Sequence, residues 1–116
     1  MKSSSERDKE RLRHILEALG KIEIYTANLS VDEFLNDSKC NEAVLFQLSV
    51  IGEAIVHVSK TILDKYHYPW HTVRAQRNVI AHEYFGIRLD MIWNVVHNDL
   101  PGLKTMIIKI LSEEYF

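Results

Sequence analysis

Apolar positions recur at helical spacing along most of the chain and divide it into long segments. In the first segment they lie three and four positions apart with charged residues between them, which is typical of one face of an amphipathic helix. Ser3 with Glu6, or Ser5 with Asp8, can supply its N-terminal cap. The pattern therefore predicts a helix from about Glu6 to about Ala27, with these residues on its apolar face: Leu12, Ile15, Leu16, Leu19, Ile22 and Tyr25.

The second long segment, from about Asn41 to Leu63, is apolar nearly all round: "AVLFQLSVIGEAIVHVSKTIL". Its polar positions are three and four apart, which indicates a helix and not the alternation of a strand. A helix this apolar belongs at the centre of a bundle. Gly52 within it costs roughly 1 kcal/mol relative to alanine, so we expect another helix to approach closely there. The polar stripe consists of Ser49, Glu53, His57, Lys60 and Asp64.

A short helix is predicted between these two segments, because Ser30 and Glu33 form a capping signature. Pro69 ends the apolar pattern, so that the next long helix begins near Trp70 or His71. That helix should end near Gly86.

The last long helix is predicted from about Leu89, with an apolar face that reaches Ile110. Pro101 and Gly102 lie inside this run and should kink or split the helix. No strand pattern and no repeat are present in the sequence. The elements predict an all-α, up-and-down bundle of four long helices and one short one, a single domain over residues 1–116.

Composition narrows the possible classes of protein. With 47% apolar residues, four glycines and two prolines, the chain can bury a core, which excludes disorder. Cys40 is the single cysteine and cannot form an internal disulfide, and "MKSSSERDKE" has no apolar run typical of a signal peptide or membrane span. We therefore expect a cytoplasmic protein without a membrane partner. The net charge of -2 excludes a generally basic surface, so any binding of nucleic acid must be local.

The stretch "RNVIAHEYF" concentrates candidate chemistry in a region where arginines outnumber acidic residues. Arg77 and His82 are five positions apart, or about 140° around a helix, and do not share a face. Arg74, Asn78 and His82 are spaced by four and line up. Two arrangements bring Arg77 to His82: either the helix ends near Ala81, which leaves His82 on its terminal turn, or two chains meet and each cleft draws on both.

Other catalytic patterns are missing from the sequence. His67 and His71 have the spacing of metal ligands on a helix, but Pro69 lies between them and no cysteine or acidic cluster joins them. There is no glycine-rich phosphate loop and no serine nucleophile motif. We expect neither a metal site nor a cofactor.

The ordered combination Arg-x4-His-x-Tyr, which stands here as Arg77, His82 and Tyr84, resembles the signature of HEPN domains, specifically the HepT toxins. Three flanking features fit the same family: "IGEAI", Trp70 ahead of the motif helix, and "LDMIWNVVHNDLPGLK" in the last helix. The resemblance extends from about Arg7 to Leu111. It implies a metal-independent endoribonuclease toxin that works as a homodimer. A nucleotidyltransferase antitoxin of the MNT type would neutralise it, by transferring AMP onto Tyr84.

The resemblance also implies roles for the motif residues. His82 would act as general acid or base, Arg77 would hold phosphate, and Asn78 would orient the phosphate or His82. These roles suit the residue types, because imidazoles ordinarily titrate near neutral pH and the arginine fork matches a phosphate. Glu53 is a possible supporting residue, since the similar "GEA" segment of the family packs beside the motif, although it is equally well one residue of a polar stripe. Arg74 is a further possible supporting residue.

Two other functions compete with the toxin. The chain can be a non-catalytic helical partner that serves as the substrate-binding subunit of a nucleotidyltransferase, and fold alone does not separate this from a toxin. It can also be a purely structural helical dimer. The motif favours the ribonuclease, because a docking subunit has no need of Arg77 and His82 together.

Overall fold

The computed structural model describes residues 2–115, and over these residues the backbone forms helices joined by turns. The predicted all-α, up-and-down bundle is confirmed. The α-helices are α1 (Ser4–Thr26), α2 (Val31–Asn36), α3 (Ser38–Val56), α4 (Lys60–Leu63), α5 (Trp70–His82), α6 (Leu89–Asn94) and α7 (Leu100–Glu114).

Helix α3 is the central helix, and it packs antiparallel to α1 on one side and to α5 on the other. Near the start of α3, Cys40 Sγ lies 3.2 Å from the Tyr25 carbonyl oxygen at the end of α1. Beyond the end of α3, the Ser59 amide donates a hydrogen bond to Asp8 near the start of α1. On the α5 side, Glu53 near the end of α3 pairs with Arg77, and Glu42 near its start pairs with Tyr84. The sequence predicts that this helix lies at the centre and contacts its neighbours closely. Both properties are found, because its surface is apolar on nearly all sides.

The core lies between α1, α3 and α7. Apolar side chains from all three helices, and Phe34 from α2, are fully buried there. Phe34 packs against the Trp93 ring, with ring centroids 5.2 Å apart, so α2 is held against α6. The largest fully buried residues include Leu12, Ile15, Leu19, Ile22, Leu48, Ile51, Ile55, Ile107 and Ile110.

Two predicted helix caps are present. The Ser3 hydroxyl accepts a hydrogen bond from the Glu6 amide at 3.1 Å, which selects Ser3 over Ser5 as the cap of α1. Ser30 and Glu33 form a complete capping box at the start of α2, with bonds of 2.9 and 3.1 Å. Both caps satisfy amides that have no partner within the helix.

Helix α3 ends at Val56 and not at Leu63, so the predicted length of this helix is wrong. The Ser59 amide bonds the carboxylate of Asp8 on α1 at 3.0 Å, and the chain turns there before α4 begins at Lys60. Asp8 is nearly fully buried, so this bond satisfies a buried carboxylate. The contact between Ser59 and α1 therefore ends α3 earlier than the apolar spacing of the sequence predicts.

Helix α5 starts at Trp70 as predicted but ends at His82, four residues before Gly86. The Trp70 indole is buried and donates to the Leu63 carbonyl at 3.1 Å, which fixes the turn before the helix. After His82 the chain leaves the α-helical conformation at Glu83, and a 3-10 turn covers Tyr84–Gly86.

The predicted disruption in the last helix is found just before Pro101. Residues Val95–Asp99 form a π-helical segment between α6 and α7, and the Leu100 amide bonds the Val95 carbonyl. Proline has no amide hydrogen to give to the carbonyl four positions earlier, so the preceding turn is where an α-helix is weakest. Over residues 2–115, no helix is both long and apolar enough to span a membrane.

Candidate functional site

Gly52 on α3 brings the backbone of α5 into close contact, as the sequence predicts. A Cβ atom at this position would lie 2.8 Å from Arg77 Cβ and 3.2 Å from Arg77 N. Since such distances are shorter than carbon atoms tolerate, only glycine permits this helix crossing. The crossing places Arg77 directly beside Glu53, the residue after Gly52.

Arg77, Glu53 and His57 form one hydrogen-bonded cluster across α3 and α5. The Arg77 guanidinium pairs with Glu53 Oε2, and Glu53 Oε1 lies 3.0 Å from His57 Nε2. The bonds from Arg77 and then His57 hold the pKa of Glu53 below its ordinary value. This contact places Glu53 beside the motif arginine, and it agrees both with a supporting role in the site and with a polar contact between the two helices.

The remaining polar residues of α5 are less closely connected. Asn78 is exposed, and its Oδ1 accepts a long 3.4 Å bond from Arg77 Nη2. Arg74 is half-buried and His82 is exposed, and neither makes a hydrogen bond or ion pair with any residue of the described chain. His82 is the last residue of α5, about 140° around the axis from Arg77, so one protomer does not bring these two side chains together.

Tyr84 lies at the other end of the α3–α5 contact. Its hydroxyl donates to Glu42 Oε1 at 3.2 Å, and its ring packs edge-on against Phe85 with centroids 5.6 Å apart. Partial burial, and then the hydrogen bond to the Glu42 carboxylate, raise the pKa of the Tyr84 phenol. The side chain is 43% exposed, so the phenol remains accessible to another protein.

A groove of about 330 Å³ runs beside the Arg77 cluster. Helix α1 contributes Arg11 and His14 to one wall, and α5 contributes Arg77 to the other. The floor is the outward face of α3, with these lining residues: Phe46, Ser49, Val50, Glu53 and Ala54. The groove thus combines two arginines, a histidine and an exposed aromatic ring, which is a suitable set of groups for a nucleic-acid strand.

Apolar side chains on α5 and the following turn remain exposed. Phe85 is fully exposed and Val79 is half exposed, whereas Ile80 is buried in the core of its own chain. Of the apolar residues in the motif stretch, Val79 and Phe85 are therefore free to contact a second chain, whereas Ile80 is not. Within residues 2–115, no group of three or more His, Cys, Asp or Glu side chains is arranged to hold a metal ion.

Sequence reasoning missed Glu42, Arg11, His14 and Phe46. Arg11 and His14 follow Arg7 at helical spacing, but this spacing does not distinguish a groove wall from a solvated face. Glu42 is 42 positions from Tyr84, and no local pattern connects them. These residues become candidates only when α1, α3 and α5 are packed.

A family model and the curated relatives of this chain indicate the same protein family. The model of the family "Ribonuclease HepT-like" matches residues 15–110. A Methanocaldococcus jannaschii protein described as a gamma-glutamylcyclotransferase and inferred RNase is 38% identical over 103 residues, which cover 88% of this chain and 46% of that protein. The chain thus spans about half of that relative.

Two further relatives are matched over most of their length. An inferred RNase of Methanocaldococcus jannaschii is 38% identical over 103 residues, 88% of this chain and 85% of that protein. The protein described as probable ribonuclease HepT of Thermococcus cleftensis is 33% identical over 97 residues, 83% of this chain and 88% of that protein. No solved structure gives a significant match.

Proposed function

The chain belongs to the HepT-like ribonuclease family, and from this premise we propose that it is a toxin that cleaves RNA internally without a metal ion. The observation that carries the proposal is the Arg77 groove, in which the motif arginine lies beside Glu53 and is open to a strand along α3. The relatives described as RNases support the same activity.

The reaction is a transesterification through the 2′-hydroxyl of RNA. A base takes the 2′-hydroxyl proton, the 2′-oxygen attacks phosphorus, and an acid gives a proton to the leaving 5′-oxygen, so that a 2′,3′-cyclic phosphate and a 5′-hydroxyl form. Histidine suits both proton transfers near neutral pH. The Arg77 fork stabilises the negative charge that develops on the phosphoryl oxygens.

In the proposed enzyme, a homodimer brings His82 to the site, because one protomer does not place His82 beside Arg77. His82 is exposed at the end of α5, about 140° around the helix axis from Arg77, so one chain does not place the motif histidine beside the motif arginine. A two-fold axis near α5 places two copies of the motif beside one phosphate. One protomer's His82 then acts as base and the partner's His82 as acid, while Asn78 orients the phosphate.

Control of the toxin is proposed to come from a nucleotidyltransferase antitoxin of the MNT type. The antitoxin would transfer AMP from ATP onto Tyr84: the phenolic oxygen forms a bond to the α-phosphorus, pyrophosphate leaves, and the phenol loses its proton. Glu42 accepts the hydrogen bond from this phenol and is suited to take that proton. Each added phosphodiester carries a negative charge, and the attached nucleotide would lie along the α3–α5 surface, where it would compete with the phosphates of an RNA strand.

The test is cleavage of RNA by the purified chain in the presence of EDTA. His82→Ala should lower the rate about 10²–10⁴-fold, because the proton shuttle is lost. Arg77→Lys should also lower it strongly, since a point charge lacks the fork. His67→Ala removes an exposed histidine outside the groove and should leave the rate unchanged. Cleavage that disappears with EDTA, or that survives in His82→Ala, contradicts the proposed mechanism.

The rival function is a non-catalytic substrate-binding subunit of a nucleotidyltransferase. One observation favours it: Glu53 already satisfies Arg77 within the chain, as in a structural contact between helices. Expression of the chain alone decides between the two. Growth arrest that is lost in His82→Ala is expected of a toxin, whereas a subunit without catalysis causes no arrest.

A further inference from the structure

Helix α1 carries a stripe of basic residues that faces the Arg77 groove. Arg7, Arg11 and His14 are spaced by four and three positions and therefore share one face of the helix. Arg11 and His14 line the groove opposite Arg77. Arg7 and Arg11 also line an adjoining polar pocket with His57, so the stripe continues beyond the groove along α1.

The acidic groups nearest this stripe are already engaged. Asp8 is buried and accepts the Ser59 amide, and Glu53 is bonded to both Arg77 and His57. Glu10 pairs with Lys2, and this bond, with smaller contributions from the nearby His14 and Arg11, lowers the pKa of the Glu10 carboxyl. Arg11 itself makes no hydrogen bond or ion pair within the described part of the chain. Its guanidinium is therefore available for a ligand that carries negative charge.

Phe46 supplies an apolar platform in the same groove. It lies on the outward face of α3 and is 65% exposed, which is unusual for an aromatic ring on a central helix. At a rise of about 1.5 Å per residue, Phe46 is roughly 10 Å along α3 from Glu53 and roughly 6 Å from Glu42. The ring therefore lies between the Arg77 cluster and Tyr84.

We propose that Arg11 and His14 bind an RNA phosphate next to the one that is cleaved, and that Phe46 stacks on a base of the same strand. This inference rests on the ribonuclease function and adds a substrate subsite to it. A cation on one wall and an aromatic ring on the floor are the two groups that hold a single strand without reading its sequence. The subsite lies in each protomer, whereas the proton transfers need the dimer.

The experiment measures kcat and KM for a single-stranded RNA at several salt concentrations. Arg11→Gln should raise KM about tenfold with kcat within about twofold, and should reduce the salt dependence by about one phosphate contact. Phe46→Leu keeps an apolar side chain but removes the ring, and should raise KM several-fold with an unchanged salt dependence. Arg13→Gln is the matched control, because Arg13 is an exposed arginine of α1 outside the groove.

The possible outcomes separate this inference from the function on which it rests. Wild-type cleavage together with an unchanged KM in Arg11→Gln overturns the subsite and leaves the ribonuclease intact. If the wild-type chain cleaves nothing, the ribonuclease proposal fails; fluorescence anisotropy of labelled RNA then tests the subsite, and equal binding by Arg11→Gln and wild type overturns it. If Phe46→Leu converts a dimer to a monomer in sedimentation, Phe46 is a subunit contact and the stacking role is wrong.

Discussion

At the scale of single residues, the candidate site contains a carboxylate that would compete with an RNA phosphate for Arg77. Glu53 Oε2 accepts a hydrogen bond from Nη1 of Arg77, and in the proposed ribonuclease an RNA phosphate would share this nitrogen or displace Glu53 from it. Since the bonds from Arg77 and His57 hold the pKa of Glu53 below its ordinary value of 4.5, the pair is ionised at neutral pH and is lost only as the pH falls below that value. Glu53 thus orients Arg77 while it weakens the local positive charge.

Replacement of Glu53 by Gln should separate these two effects. RNA should bind more tightly, with a salt dependence steeper by about one phosphate contact, because Arg77 becomes free to neutralise a phosphate. The value of kcat should fall, because Arg77 is no longer held in place. Glu23→Gln breaks a comparable exposed pair with Lys104 on the far side of α1 and should change neither quantity. Weaker RNA binding in Glu53→Gln would contradict this account.

Modification of Tyr84 should depend on its neighbour Glu42. When the chain is expressed with the proposed nucleotidyltransferase antitoxin, intact-mass analysis should show an increment of about one or more adenylyl groups in the wild type and none in Tyr84→Phe. Glu42→Gln should slow the modification, because an amide accepts a hydrogen bond but takes up no proton at neutral pH. A silenced chain without added mass would favour inhibition by binding alone.

At the scale of helices, the crossing of α3 and α5 is the element that builds the site. Gly52 allows the two backbones to meet, and this one contact positions Arg77 on α5 beside Glu53 on α3. The exposed groove and the buried core therefore both depend on the close contact of α3 and α5 at Gly52. A change at Gly52 should affect stability and activity together.

Gly52→Ala should destabilise the fold by about 1–3 kcal/mol, because the new methyl group overlaps Arg77 Cβ. RNA cleavage should fall as Arg77 moves away from Glu53. Gly20→Ala is the matched control: it lies inside α1 with no atom within 4 Å of an added Cβ, and should raise the free energy of unfolding by about 0.5–1 kcal/mol. Thermal unfolding followed by circular dichroism measures both changes, and equal stability of the two variants would exclude a tight crossing.

At the scale of the whole molecule, two of the exposed apolar side chains agree with the proposed assembly through α5. Val79 lies within the motif stretch on α5 and Phe85 directly follows Tyr84, and both side chains are exposed. Exposed apolar groups that adjoin a functional site are typical of a protein interface. Such an interface would also bring two His82 side chains towards one cleft.

Sedimentation should therefore give about twice the mass of 13.6 kDa at micromolar concentration. Phe85→Glu should shift the chain to a monomer, because it places a charge in an apolar contact, and should abolish cleavage with it. Ile24→Glu changes another exposed apolar residue, on α1, and should leave the dimer intact. A wild-type monomer that cleaves RNA would remove the argument for a composite site.

The sequence by itself determined the presence of the long helices, the capping signatures of α1 and α2, and the close contact at Gly52. Each of these is encoded over a few neighbouring positions: the apolar spacing defines a helix face, Ser30 and Glu33 close a capping box, and a glycine in a central helix indicates an approaching backbone. The motif also identified Arg77 and Tyr84 as candidates, because their residue types and order are visible without a fold.

The tertiary structure alone decided where helices end and which side chains share a groove. Asp8 ends α3 through a bond to Ser59, 51 positions away, and Glu42 reaches Tyr84 across 42 positions. The approach of Arg11 to Arg77 depends likewise on how α1 and α5 are rotated against α3. Helical periodicity defines which residues share a face of a helix. The packing of the whole core decides which other helix that face contacts, and this cannot be inferred from neighbouring positions in the sequence.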